Sequence, residues 1–181
     1  MNRGAIIIHG LTGTPATMAP ITEALSKSGL NVIAPLLPGH GTSLRDLDGT
    51  RYSEWVLAVE NAYDRLTASG CDDICCAGLS LGGLLTLRLA MDKKRPLSKI
   101  ACMGTPVKLS LLLENILLPL SKLPIIRSIL RTSKKNWKAS VMDPSGRQLY
   151  RSISYESIPV RSVWELQKLQ EEVLKGLGAI T

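Results

Sequence analysis

Four short apolar runs alternate with stretches whose apolar residues recur every three or four positions. Ala5-Ile6-Ile7-Ile8 is continuous and apolar, the signature of a strand covered on both faces. It ends in His9-Gly10-Leu11-Thr12-Gly13-Thr14-Pro15. Thr14 before Pro15 predicts a helix start, with a side-chain cap and then proline at the first position. Met18, Ile21 and Leu25 follow at helical spacing, and Ser28-Gly29 closes that helix. Asn31 to Pro35 reads as the second strand and Pro38 to Ser43 as a loop. Ser53 is expected to cap a helix with the stripe Val56, Val59, Tyr63 and Leu66, which Gly70 ends. Ile74 to Ala77 is the third strand, Leu84 to Met91 the next helix and Lys99 to Met103 the fourth strand.

Strand and helix in strict alternation, with short connections, predict an α/β fold: a mostly parallel sheet with helices on both faces. In such sheets ligands bind beyond the carboxyl ends of the strands. His9, Ser80 and Gly104 each stand just past a strand end, so one crevice can hold them all.

After Gly104-Thr105-Pro106 the alternation fails. Residues 107–158 are leucine-rich, then basic, and prolines 119, 124 and 144 interrupt them. We expect a mostly helical cap inserted over a core formed by residues 1–106. Residues 159–181 then return to the core: Val163, Leu166, Leu169 (or Gln170) and Val173 make one helical face, and Gly176 ends it. Gly178 to Thr181 resembles the approach to a further strand.

Composition modifies this picture in three places. There is no Phe, so Leu and Ile must fill the core. The net charge of +7 is concentrated: residues 106–151 hold nine Lys/Arg and two acids, Glu114 and Asp143. The plain reading is a solvated face; a second reading is a weak contact with anionic lipid. Trp137 lies among Lys134, Lys135 and Lys138, but with no aromatic partner nearby in sequence it does not make a nucleic-acid patch. The apolar stretch Leu109 to Leu130 is broken by Glu114, Pro119, Lys122, Pro124 and Arg127, which makes it a poor membrane span and a fair wall for an acyl pocket. Cys71, Cys75, Cys76 and Cys102 form no C-x-x-C pair and no metal spacing, so no metal, cofactor or disulfide framework is implied. With no signal-like N-terminus, the expected location is cytoplasmic.

The chemistry gathers at Asp73 to Gly83. The spacing Gly78-x-Ser80-x-Gly82 falls between a strand and a helix, which is the context of a nucleophile elbow. The turn strains the backbone at Ser80, and side chains two residues away on either side would collide, hence glycine at 78 and 82. Ser80 is the candidate nucleophile. A tetrahedral intermediate needs two N–H donors, each worth on the order of 3 kcal/mol in the transition state. The Leu81 N–H follows from the elbow, and the turn after the first strand supplies the second from Leu11.

These residues resemble the α/β-hydrolase fold family, and within it the small bacterial carboxylesterases and monoacylglycerol-lipase-like serine hydrolases. The resemblance rests on His9-Gly10-Leu11-Thr12-Gly13-Thr14, Pro38-Gly39-His40-Gly41 and Gly78-Leu79-Ser80-Leu81-Gly82-Gly83, and covers about the first 105 residues. It implies hydrolysis of a small ester substrate, with a short or medium acyl chain or a monoglyceride, by Ser80 with Leu11 and Leu81 as oxyanion donors. The family's acid and histidine follow the cap, in that order. Here both histidines, His9 and His40, precede Ser80. His9 is expected to brace the oxyanion turn and His40 to be a structural loop residue. Asp143, before a proline in the cap, suits a surface turn better than a catalytic acid. The chain thus carries a nucleophile and an oxyanion hole without a triad acid or histidine, as a truncated copy would. It is expected to turn over little, to expose a sheet edge and to dissolve poorly or self-associate. Two further readings use the same residues: a non-catalytic protein that binds an acyl ligand or partner, and a thioesterase or acyltransferase.

Overall fold

The computed structural model describes residues 2–108, 131–137 and 141–180. The apolar stretch Leu109 to Leu130, read above as an acyl wall, and Lys138 lie outside the described residues.

Four parallel strands form the central sheet: β1 (Arg3–Ile8), β2 (Asn31–Ile33), β3 (Asp73–Leu79) and β4 (Lys99–Met103). Their order is β2-β1-β3-β4. β1 occupies an interior position, with Ile6 level with Ile33 on one side and Cys76 on the other, so its apolar run needs cover on both faces. Ile6 and Ile8 point into the larger core, built with Trp55, Val59 and Leu66 of α3 (Tyr52–Ala68) and with Leu81, Leu84, Leu85 and Leu89 of α4 (Leu81–Ala90). Ala5 and Ile7 point to the other face, against Met18, Ile21 and Leu25. Cys75 and Cys76 divide between the two faces in the same way.

The first helical segment departs from the expectation at Thr14. Pro15–Met18 is a 3₁₀ turn, and α1 (Ala19–Lys27) follows it. The Thr14 hydroxyl makes no cap; it donates instead to the Ile153 carbonyl at 3.3 Å. A short helix, α2 (Leu44–Gly49), interrupts the loop region after Ser43. Ser43 caps it by accepting from the Asp46 N–H at 3.1 Å, and its Leu47 is fully buried. Ser53 does not cap α3 either. The helix begins at Tyr52 with Arg51 at the cap, two residues earlier, because the Glu54 carboxylate already accepts the Arg51 N–H at 2.8 Å.

Beyond β4, the described residues contain a two-stranded antiparallel ribbon, β5 (Thr132–Lys134) with β6 (Ser157–Pro159), and one helix between them, α5 (Pro144–Ser152). The ribbon was not legible in the hydrophobic pattern, since all three β5 residues are exposed. Asp143 is exposed, and in place of the expected surface turn it caps α5 by accepting the Gly146 N–H. The long helix α6 (Val160–Gly176) buries Leu166, Leu169 and Val173 against α4. Both alternatives at the third stripe position are buried: Leu169 in the core, and Gln170 with its amide donating to the Pro106 and Val107 carbonyls. The last turn is 3₁₀ over Leu177–Ala179 rather than an extended approach, because the Ile180 N–H returns to the Leu177 carbonyl at 3.2 Å.

Among the described residues β4 is an edge strand of this sheet, and Lys99 to Cys102 are exposed.

Candidate active site

β1 and β2 are joined across one side of the sheet, while β3 lies on the other side of β1. The connections therefore diverge between β1 and β3, the place where a doubly wound sheet opens a crevice. Ile8 and Gly78 are level in the register there, so the turns that follow them, His9 to Gly13 and Leu79 to Leu81, leave the sheet side by side.

The second of these turns is as tight as the glycine spacing requires. Ser80 has φ 54° and ψ −111°, a backbone conformation that side-chain-bearing residues rarely adopt. Its N–H donates to the Met103 carbonyl at 2.8 Å, and its carbonyl accepts from the N–H groups of Gly83 (2.9 Å) and Leu84 (3.3 Å). A Cβ on Gly78 would run into the Gly82 backbone, and a Cβ on Gly82 into the carbonyls of Ile8 and His9. The third glycine, Gly83, makes room for the Thr105 side chain. Leu81 opens α4, so its N–H belongs to the first turn, where no helical acceptor exists and the helix dipole favours negative charge.

The β1 turn abuts this serine. A Cβ on Gly10 would lie 3.5 Å from Ser80 Cβ. The turn is closed by the Gly13 N–H on the Gly10 carbonyl at 3.1 Å and by the Thr12 hydroxyl on the Leu11 carbonyl at 2.5 Å. Thr12 itself has φ 69°, which is unusual for a β-branched residue.

His9 is fully buried between this turn and the next loop. The Leu37 N–H donates to Nε2 at 3.2 Å, which makes Nε2 the acceptor and leaves the proton on Nδ1, 2.9 Å from the Gly10 carbonyl. Burial holds its pKa down to about 4. Both nitrogens are committed, so His9 braces the turn and has none left for the Ser80 proton. His40 lies edge-on to His9, with ring centroids 4.9 Å apart, and edge-on to Trp55 at 6.1 Å. Its Nδ1 meets the Pro38 carbonyl at 3.0 Å, and the indole N–H of Trp55 donates to the same oxygen at 3.1 Å. Burial lowers its pKa too, with the Lys135 charge acting in the same direction. Nε2 has no hydrogen-bond partner among the described residues. The structure thus sets Gly10 against Ser80, with Leu11 and Leu81 the residues that follow them, while His9 braces the β1 turn and His40 packs on His9.

The four cysteines are free. Burial pushes the Cys76 thiol up to about 12 and raises those of Cys75 and Cys102, so none is a ready thiolate. Among the described residues no cluster of His, Cys, Asp and Glu is arranged to hold a metal ion.

A parallel sheet carrying a serine at a glycine-flanked strand-to-helix turn defines the alpha/beta hydrolase fold. The model of that family matches residues 6–126, and the chain belongs to it. Of curated proteins, it is similar to the thermostable monoacylglycerol lipase of Bacillus sp. (strain H-257), 46% identical over 87 residues, which cover 48% of this chain and 34% of that protein. It is also similar to a carboxylesterase of Bacillus subtilis (strain 168), 30% identical over 106 residues, covering 59% of this chain and 42% of that protein. The matched segments therefore span well under half of these relatives' own lengths. Two solved structures share the fold. One, from work on the metagenome-derived lipolytic enzymes LipS and LipT, has TM-score 0.81 at 22% identity, over 99% of this chain and 69% of that one. The other, a monoacylglycerol lipase of Paleococcus ferrophilus, has TM-score 0.77 at 17% identity, over 98% and 69%.

Proposed function

We propose that this chain carries the nucleophile and the oxyanion hole of a serine hydrolase acting on carboxylic esters. The observation that carries the reading is the strained Ser80, set at the end of β3 with the β1 turn against it. Ser80 Oγ attacks the ester carbonyl carbon, and the carbonyl oxygen takes up negative charge between the N–H groups of Leu11 and Leu81. Collapse expels the alcohol and leaves an acyl group on Ser80, which water then removes. No cofactor enters these steps. The substrate class, a short or medium acyl ester or a monoglyceride, is supported by the names of the similar proteins, a monoacylglycerol lipase and a carboxylesterase. A cytoplasmic location is supported by the free thiols. Weak contact with anionic lipid is supported by the exposed Met142 and Leu149 near Arg147 and Arg151.

The proton on Ser80 needs a base; His9 has both nitrogens committed, and we read His40, packed between His9 and Trp55 with Nδ1 on the Pro38 carbonyl, as a loop residue. Hydrolysis by this chain is therefore expected to fall to what an oxyanion hole and binding supply without a base, roughly a thousand- to ten-thousandfold over water. The second reading, an acyl-binding protein without turnover, draws on the same observation. A fluorophosphonate probe followed by peptide mapping decides the first point. The expected adduct is on Ser80 and disappears in Ser80→Ala; equal labelling of the Ser80→Ala protein refutes the assignment. Fast turnover of a p-nitrophenyl ester, abolished by His9→Gln or His40→Gln, would refute the bracing role of the histidines.

A further inference from the structure

One donor of the oxyanion hole belongs to a helix start, but the other sits in a turn with a strained threonine. Thr12 at φ 69° costs on the order of 1–3 kcal/mol, and such a conformation persists only where the surroundings fix it. Besides the local bonds that close the turn, residues from far along the chain contact it.

The segment from Tyr150 to Tyr155 lies across this turn. The Tyr155 N–H donates to the Thr12 carbonyl at 3.0 Å. The Ile153 carbonyl accepts the Thr14 hydroxyl at 3.3 Å. The Tyr155 hydroxyl accepts the Thr42 N–H at 2.8 Å and donates to the Gly39 carbonyl at 3.1 Å, tying the same segment to the loop that packs on His9. The Tyr150 hydroxyl interacts with the Thr12 side chain. Tyr150 is held in turn. The Ser154 hydroxyl donates to its carbonyl at 2.7 Å, and Trp137 packs edge-on at 5.9 Å. The Lys135 ammonium lies 4.9 Å from both ring centroids and donates to Ser154 Oγ at 3.4 Å. Trp137, without an aromatic neighbour in sequence, thus has one in space, and the lysine beside it serves an internal contact.

We propose that residues 150–155 act as a strap that holds Thr12 in its strained conformation and so sets the Leu11 N–H toward Ser80, with Tyr150 and Tyr155 as positioning residues. The inference rests on the reading of Ser80 and Leu11 given above. If the strap lifts, Thr12 relaxes and the peptides before it move relative to Ser80, while Leu81, fixed by the core, stays in place. The hole then holds an oxyanion with one donor in place of two.

The test is the affinity of an alkylboronic acid, followed by ¹¹B NMR. A bond forms between boron and Ser80 Oγ, the serine proton passes to the buffer, and the negative tetrahedral boronate occupies the hole. Loss of a whole oxyanion donor costs at least about a hundredfold in rate, so displacement of one by Tyr150→Phe or Tyr155→Phe is expected to weaken the adduct by about tenfold. Glycine adopts φ 69° without strain. In a Thr12→Gly background, therefore, the same tyrosine changes should have almost no further effect. A purely structural role would not produce that rescue. Unchanged boronate affinity in the tyrosine variants overturns the strap. So does an equal loss in the Thr12→Gly background, including loss through unfolding seen by circular dichroism. If Ser80→Ala binds the boronate as tightly as the unaltered chain, the reading of Ser80 fails and the strap with it.

Discussion

His9 gives this fold a pH dependence that can be worked out from its surroundings. In the unfolded chain an imidazole protonates near 6.5; in the folded protein burial lowers that value to about 4. Between the two, the unfolded chain binds a proton that the folded protein does not, so acid favours unfolding. The stability is fully present above about pH 6.5 and falls as pH drops toward 4. One pKa unit is about 1.4 kcal/mol, so the whole window is worth about 3 kcal/mol, and the step from about pH 7 to about pH 5 about 2 kcal/mol. His40 is shifted the same way and adds to the loss. His9→Gln separates the two. Its amide can donate to Gly10 and accept from Leu37 as the imidazole does, but it does not titrate. Urea unfolding followed by tryptophan fluorescence should show the midpoint of the unaltered chain falling by roughly 1 M more than that of His9→Gln over this step, for an m-value of about 2 kcal/mol/M. Equal falls in the two proteins would refute the reasoning. So would an NMR titration placing the His9 ring proton shift near 6.5, since a buried imidazole with both nitrogens committed cannot protonate there.

Two predictions concern the framework of the elbow and its support. Gly82→Ala sets a methyl group against the Ile8 and His9 carbonyls, which are strand and turn backbone and cannot yield. A loss of about 3 kcal/mol or more is expected in urea unfolding, and a variant within about 0.5 kcal/mol of the unaltered chain would contradict the described turn. Leu169 of α6 is fully buried against α4, so Leu169→Ala should cost about 2–5 kcal/mol by the same measurement. A smaller loss would mean that α6 does not close the core over the helix that Ser80 begins.

What the sequence made legible is what local chemistry decides. The elbow could be read because a turn so tight admits only glycine at 78 and 82, and the structure shows backbone at both places where a Cβ would go. The parallel sheet could be read because its strands are short apolar runs separated by helical spacing. Helix α2 escaped because six residues are too few to show a period; the Ser43-x-x-Asp46 cap was the available signal. Arg51 escaped as the cap of α3 because the decisive group is the Glu54 carboxylate three residues on, not the side chain at the cap. Thr14 looked like a cap because its hydroxyl is the right kind of group, yet that hydroxyl is drawn to Ile153. The Tyr155 contacts with Thr12, Gly39 and Thr42 had no sequence signal, since they join segments more than a hundred residues apart.

The described residues contain two non-glycine positions with positive φ, Thr12 and Ser80, and they stand on neighbouring turns. They are sustained by different parts of the chain. Ser80 is fixed from within its own unit: the sheet register places β3, glycine removes the collisions, and the helix that follows is buried from Leu81 to Thr86. No substitution outside that unit should release it while the core holds. Thr12 is held within its turn by its hydroxyl on the Leu11 carbonyl and, from far along the chain, by the Tyr155 N–H on its own carbonyl. The proposed oxyanion hole therefore has one donor set by the core and one set by how the segment after β5 is seated. On that proposal, changes in that segment should alter charge stabilisation at Leu11 without moving Ser80, whereas changes in the core should disturb both together.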